Sequence, residues 1–495
     1  MMLRIKFFAP VLTLACLSAA AQKINKNDKI TLANLQAHIR YLSDDRLEGR
    51  STGSAGEKAA SDYIIAEFSK AGVQPKGDNN GWLQSFVIDQ GRGITTDSYF
   101  SVNDRALLLN REYFPLAQSP AGQLSGSPAI ALQESGVPWF LDLRELLEAN
   151  AGNTHFDLPG AIRTKAAACA KKGATALLLY NSSLKYPDRL TYDPRDKPEP
   201  AVIPVVYITR EAKRKYLKDE SASVDIRLKI GFEQKQKIGH NVVAYIDNGA
   251  QSTVIVGAHY DHLGYRDSIQ AAGPGQATSP AASGSGQATI GSATGPAATS
   301  PTASARVIYP GANDNASGVA AMIELARLLK ESKFRNNNYL FIAFSGAELG
   351  WSGSGWFADH PVTDLKKVTC MLDMEMIGRL NDSTHALMIA GCGTSPAWPQ
   401  ICGNALRDKK SLSLLVDSSA ARPGDHTAFY RKGIPVLFFS TGSYSDYHQS
   451  GDKDDKINFP GELQVLKFIY SIIENVNGRG KVWFTPARDI SANLP

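Results

Sequence analysis

Two histidines and four carboxylates sit where a metal-dependent reaction could be assembled. In chain order they are His259 and Asp261 in GAHYDH, Asp314 in GANDNASG, Glu348 in FSGAELG, Glu375 in MLDMEMIGR and His448 in DYHQSG. Imidazole nitrogen and carboxylate oxygen are donors that zinc accepts, and catalytic zinc sites leave one position open. Five such donors, His259, Asp314, Glu348, Glu375 and His448, suit two ions that share one bridging carboxylate. Paired ions polarise a carbonyl and acidify a water, so the chemistry expected is hydrolysis. Asp261 lies two residues beyond His259, the spacing at which an extended segment points both side chains the same way. Its carboxylate is therefore expected to accept the second ring N–H of that histidine. Singly, each residue has a commoner structural use, such as an aspartate capping a helix; their joint placement carries the argument.

The elements that must hold these residues follow from apolar patterning. After Gly239 buried-type strands alternate with helices, which implies a mostly parallel sheet covered on both faces. The strands expected are Asn241 to Ile246, Thr253 to Ala258, Tyr339 to Phe344, Val368 to Met374, Leu387 to Ala390 and Pro435 to Ser440. The reactive residues come just past the carboxyl ends of several of these, where open α/β sheets bind their ligands. Residues 30 to 75 read as helices, with Leu35, Ile39 and Leu42 at helical spacing and a second run from Gly56 to Ala71. From about Asp97 to Lys235 short strands and turns take over, with a helix opening at Pro159 and running to Lys172, and buried strands at Ala174 to Tyr180 and Pro204 to Ile208. This block reads as a separate inserted, β-rich domain. Residues 268 to 305 consist almost wholly of Ala, Gly, Ser, Thr, Pro and Gln, and are expected to form a mobile loop at the rim of the site.

The phrases GAHYDH, GANDNASG, FSGAELGWSGS, MLDMEMIGR and DYHQSGDKDDKI, in that order, resemble the di-zinc aminopeptidase family, which includes relatives of glutamate carboxypeptidase and glutaminyl cyclase. The resemblance covers roughly 27 to 100 and 236 to 475, including YLSDDRLEGRSTGSAGEKAASDYI, and PGAIRTKAAACAKKGATALLLYN resembles a protease-associated domain. It implies an α/β fold of zinc-peptidase type with a mostly parallel sheet flanked by helices, and a smaller inserted protease-associated domain. The expected divisions are a signal peptide at 1–21, the first part of the peptidase domain at 22–100, the insert at 101–235, the zinc peptidase domain at 236–480 and a tail at 481–495. The resemblance also implies two Zn2+ ions, with His259 and Glu375 on one, Glu348 and His448 on the other, and Asp314 bridging. Asp261 becomes the partner of His259, and Tyr447 matches a tyrosine that donates to the developing oxyanion. Asp425 and His426 fall near the cleft wall, where holding the last strand is the default expectation.

Two departures stand out. Relatives carry two consecutive glutamates where this chain has Ala347 and Glu348, so the ligand is kept and the general base is replaced by alanine. Relatives also usually have aspartate where this chain has Glu375, and asparagine where it has Asp373; Asp373 faces the other way on a regular strand. Asp452, Asp454 and Asp455 read as a solvated charged turn. The resulting expectation is a metallo-aminopeptidase acting on peptide or protein N-termini, with Glu375 a candidate to hold the free amine. The alternatives are a catalytically impaired homologue that binds peptides and an acyltransferase of the glutaminyl-cyclase kind. The inserted domain would either limit access to the cleft or dock a partner.

Composition bounds the setting. The chain has 495 residues, 43% of them apolar on a broad count, enough for more than one core. Arg4 and Lys6, an apolar run from Phe7 to Leu17 and the small residues before Gln22 read as a secretory signal, which implies an exported protein. That run is shorter than the ~20 residues of a spanning helix, so no membrane span is expected. Cys16 is a lipidation candidate whose preceding residues fit such a signal poorly. The formal charge of +5, or about +3 without the first 21 residues, suggests no nucleic-acid partner. Of the cysteines beyond Cys16, Cys392 and Cys402 are the candidate disulfide pair.

Overall fold

The strands that carry the reactive residues are apolar on both faces, and this dictates helices on both sides of their sheet. In the computed structural model, which describes residues 26–151, 153, 156–186, 190–267, 306–407 and 412–487, nine strands form that sheet. They are β1 (Gln74–Pro75), β2 (Leu83–Ile94), β3 (Phe232–Ile246), β4 (Thr253–His259), β5 (Asn338–Phe344), β6 (Val368–Met374), β7 (Ala386–Ala390), β8 (Ser413–Val416) and β9 (Val436–Ser440). The order is β1-β3-β5-β4-β6-β9-β7-β8, with β2 also paired to β3. The four central strands β5, β4, β6 and β9 are mutually parallel, and β3 and β7 flank them antiparallel. Parallel neighbours finish at the same edge, so the residues after β4, β5, β6 and β9 are brought together there.

Alternate side chains of each strand enter two different cores. Val254, Val256, Tyr339, Phe341, Cys370, Leu372, Leu437 and Phe439 face one side, where they pack with residues of the helices Lys26–Leu42, Ala55–Lys70, Gly318–Glu331 and Phe459–Arg479. Ile255, Leu340, Ile342, Phe344, Met371 and Val436 face the other, with Phe357 and Phe429 from the helices Ser352–Asp359 and His426–Arg431. The six expected strands are all present with ends that match to within one residue, except that β3 starts earlier.

The chain divides into two units, one running to Phe86 and resuming at Gly239, the other Val87–Ile238. In the second unit the strand Tyr99–Val102 pairs with Ile226–Ile230, and its Phe100 and Val102 belong to that unit's own core. Within it, one four-stranded sheet contains Tyr99–Val102, Arg105–Ala106, Gly122–Gly126 and Ile226–Ile230. A second contains Tyr113–Pro115, Trp139–Asp142, Leu177–Tyr180 and Val205–Ile208, beside a helix at Leu158–Lys171.

The expected signal peptide with Cys16, the expected loop at 268–305 and the end of the expected tail lie outside the described residues. No helix among the described residues is long and apolar enough to cross a membrane. Cys392 and Cys402, the candidate disulfide, are free thiols, and a hydrogen bond from Cys402 holds the Cys392 thiol below its usual range.

Candidate metal centre

His259 is the last residue of β4 and is buried. The strand stops there, so the alternation that would aim Asp261 at the same point does not extend to it. The backbone carbonyl of Asp261 lies 3.2 Å from His259 Nδ1, while its carboxylate is 3.8 Å away. The carbonyl, and not the expected carboxylate, is therefore the nearer partner of Nδ1, which turns Nε2 toward the site; against the penalty of burial, Asp314 and Glu375 raise this histidine well above its usual range. The Asp261 carboxylate instead accepts N–H bonds from Ala347 at 3.1 Å and Glu348 at 3.3 Å, and the Thr52 hydroxyl at 2.9 Å. Burial pushes this carboxyl up to about 6.

Asp314 comes from a turn that only small and polar residues can build. Gly311 has φ +61°, and a Cβ on it would lie 2.2 Å from the Asp314 carbonyl oxygen and 2.6 Å from the His262 ring. The buried Asp452 carboxylate accepts the Asn313 and Asp314 N–H groups at 3.1 and 3.0 Å. The turn is also tied to the segment after β6. Asn315 Nδ2 donates to the Met374 carbonyl at 2.8 Å, Asn315 Oδ1 accepts from Met376 N–H at 3.0 Å, and Asn313 Oδ1 accepts from Gly378 N–H at 2.8 Å. From the other side buried Arg50 donates to the carbonyls of Tyr260, Pro310 and Gly311 at 2.8, 2.6 and 3.0 Å. Burial lowers this guanidinium to about 10 even though Asp314 and Asp261 are close by.

These ties leave the two Asp314 oxygens facing different partners. Oδ1 is 3.4 Å from His259 Nε2, and that nitrogen is 3.3 Å from Glu375 Oε1. Oδ2 is 3.2 Å from His448 Nε2, which is 3.3 Å from Glu348 Oε1. The five residues expected to converge do so. Burial opposes ionisation of Asp314, yet His259 and His448 hold its carboxyl well below the usual range. Against the same penalty His262 and His448 bring Glu348 down to about 2, and Asp314 and Glu348 lift His448 to about 10. His448 adopts φ +56°, a conformation that costs a non-glycine residue about 1–3 kcal/mol and persists where surroundings impose it.

Ala347 is buried beside Glu348, so its methyl occupies the place expected for the base. Tyr447 stacks on the His448 ring with centroids 3.9 Å apart and is 45% exposed. Asp373 does turn to the opposite side: its Oδ2 accepts the His426 N–H and meets Nδ1 of the same residue, both at 3.0 Å. His426 packs on Phe438 of β9, with ring centroids 4.9 Å apart, as a residue that holds the last strand would. Burial, and next the neighbouring Asp373, push the carboxyl of Asp425, beside it, well above its usual range.

Sequence reasoning overlooked His262 and misjudged Asp452. His262 Nδ1 is 2.9 Å from Glu348 Oε1, and the second histidine of GAHYDH was the available signal. Asp452 is fully buried, unlike the solvated residue expected, because two turn N–H groups, Tyr444 and Arg379 all donate to it.

The residues fit a metal. Two donors bound to one tetrahedral zinc at ~2.0–2.2 Å stand about 3.3–3.6 Å apart, close to the spacings around both Asp314 oxygens. Asp314 Oδ2 is buried and accepts no hydrogen bond of normal geometry, although His448 Nε2 is 3.2 Å away. A buried carboxylate oxygen without a hydrogen bond of normal geometry, beside imidazole and a second carboxylate, suits a cation.

The model of peptidase family M28 matches residues 241–472. Over 239 residues the chain is 24% identical to a probable leucine aminopeptidase of Arthroderma otae, covering 46% of this chain and 55% of that protein. Over 137 residues it is 32% identical to an aminopeptidase of Bacillus subtilis, covering 27% and 29%. The chain thus spans about half or less of the length of these curated relatives. The crystal structure of a zinc aminopeptidase from Bacillus subtilis superposes with a TM-score of 0.50 at 20% identity, covering 92% of this chain and 98% of that one, a likeness of fold.

Proposed function

From the premise that residues 241–472 belong to peptidase family M28, we propose that this chain is an exported, zinc-dependent exopeptidase of the aminopeptidase type that removes N-terminal residues from peptides. The observation that carries the reading is the division of Asp314, with Oδ1 toward His259 and Glu375 and Oδ2 toward His448 and Glu348. That arrangement suits two ions, with Asp314 bridging. Zinc bound there would supply Lewis-acid polarisation of the scissile carbonyl and would acidify a water.

The chain's own residues do the rest. The Asp261 carbonyl keeps the His259 proton on Nδ1, so Nε2 is free to act as a donor. The Asp261 carboxylate clamps the turn that presents Glu348. Tyr447, stacked on His448 and partly exposed, is the candidate hydrogen-bond donor to the oxyanion. Val87–Ile238 is read as a protease-associated domain on its sequence motif.

A second reading is favoured by Ala347: a homologue that binds peptides and turns them over poorly. A positioned base contributes about 10² to 10⁴-fold, or about 3–5.5 kcal/mol. Asp373 is committed to His426, which argues against it as a substitute.

The test is hydrolysis of a panel of aminoacyl chromogenic substrates by the zinc-loaded chain, alongside Ala347→Glu and His259→Ala. Chelator-sensitive turnover that His259→Ala abolishes supports the peptidase. Turnover only in Ala347→Glu supports the binding reading, and none in any form removes the aminopeptidase assignment.

A further inference from the structure

His262 is the one histidine at the centre that the peptidase reading leaves without work. It stands three residues beyond His259, fully buried, with its ring edge-on to His448 at a centroid distance of 5.7 Å. Its Nδ1 lies 2.9 Å from Glu348 Oε1 and 3.8 Å from Asp314 Oδ2. His448 Nε2 lies 3.3 and 3.2 Å from the same two oxygens. His262, Asp314, Glu348 and His448 each offer one ligand atom, and all four atoms lie within 4.8 Å of one another. The spacings of 2.9–3.8 Å bracket the ~3.3–3.6 Å edge of a zinc tetrahedron.

The 2.9 Å contact alone would also suit a ring N–H that merely orients Glu348. Two further features favour ligation. Nδ1 stands over both acidic donors and not Glu348 alone. His448 Nε2 approaches the same two oxygens, at 3.3 and 3.2 Å, so two imidazoles and two carboxylates meet at one place. Gly311 makes room for the ring, since a Cβ there would come within 2.6 Å of it.

We propose that His262 is a fourth protein ligand, through Nδ1, to the ion held by Asp314 Oδ2, Glu348 and His448. The inference rests on the zinc-dependent reading above and deepens it. Four protein donors make a closed site, the count found in structural zinc centres, whereas catalytic centres pair three protein donors with an open position. His259, Asp314 Oδ1 and Glu375 supply three. The two halves are thereby unequal, and the coordination position open to a peptide belongs to the His259 half.

The zinc-loaded full chain is crystallised, and the ions are located by anomalous scattering at the zinc edge. Zinc retention is measured in parallel under graded chelator for the native chain, His262→Gln and His259→Ala. The expected structure has one ion bonded to His262 Nδ1 at ~2.0–2.1 Å. His262→Gln should weaken one of two ions by more than the ~10–100-fold that an outer hydrogen-bond partner is worth, and His259→Ala should release the other. An ion bonded to Asp314, Glu348 and His448 but not to His262 overturns the proposal and leaves the peptidase reading standing. No zinc at either place overturns both. The crystal structure of the native chain decides even if His262→Gln does not fold.

Discussion

Asp452→Ala tests whether Asp314, the proposed bridging residue, is held by the protein or only by a bound metal. Asp452 is fully buried and accepts hydrogen bonds from Asn313 N–H, Asp314 N–H, the Tyr444 hydroxyl and the Arg379 guanidinium, at 2.9–3.1 Å. Removing it leaves two backbone donors, a phenol and a cation without their acceptor. A buried donor left unpaired costs about 1–3 kcal/mol, and breaking a buried charge pair costs about 3–5 kcal/mol. The terms overlap, and Arg379 retains Asp446 at 3.4 Å, so about 3–5 kcal/mol is the expected loss for opening the turn. At 1.36 kcal/mol per decade this is a fall of roughly 10² to 10⁴-fold in the amide-exchange protection of Asn313 and Asp314. The assay is hydrogen exchange of metal-free native and variant protein, with the amides of β4 as internal reference. A fall below roughly tenfold, or an equal fall in β4, would refute the reasoning. Asp452→Asn keeps one acceptor oxygen and should lie between.

Ala347→Glu should raise kcat on a good aminoacyl substrate by roughly 10² to 10⁴-fold with little change in zinc affinity; unchanged kcat would show that no base is missing. Glu462 is buried, both its oxygens lack partners, and burial raises its carboxyl well above the usual range. Folded protein then holds a proton that unfolded chain releases above about pH 4.3, so this group's contribution falls as pH rises from there. Glu462→Gln should therefore gain stability over the native chain progressively from pH 4 to 8 in urea titrations; a pH-independent difference would count against it. Chelation should lower the unfolding temperature of the unit that contains the centre, since a ligand at 100 times its Kd adds about 2.7 kcal/mol. Calorimetry should show the transition of the Val87–Ile238 unit unmoved.

The sheet was legible because its central strands are unbroken apolar runs, and β4, β5, β6 and β9 end where the reactive residues begin. The candidate ligands were legible as the histidines and carboxylates that follow that edge. What was hidden depended on geometry past the strand ends. Asp261 was assigned by a two-residue alternation that lapses once β4 stops, so its carbonyl and carboxylate exchange the expected tasks. His262 escaped notice for the same reason, being odd in register with His259 but close to it in a turn. Asp452 sits in a run of charged residues whose neighbour Asp455 is exposed, and only its distant donors Asn313, Asp314 and Arg379 make it a core residue. Composition records none of those partners.

The replacement of the expected base by alanine gains meaning from how the turn is held. Asp261 grips residues 347 and 348 through their backbone N–H groups, and Gly346 at φ +72° sets the bend. Neither restraint involves the side chain at 347. A carboxylate there can become a methyl without moving Glu348, whose own place is fixed by His262 and His448. On the proposed reading, metal binding and proton transfer are thus separable at adjacent positions of one turn. A change at 347 alters the second while the first stays intact, whereas a change at Asp261 or Asp452 would disturb the ligands themselves. Zinc affinity and turnover should therefore part company at Ala347 and move together at the two buried aspartates.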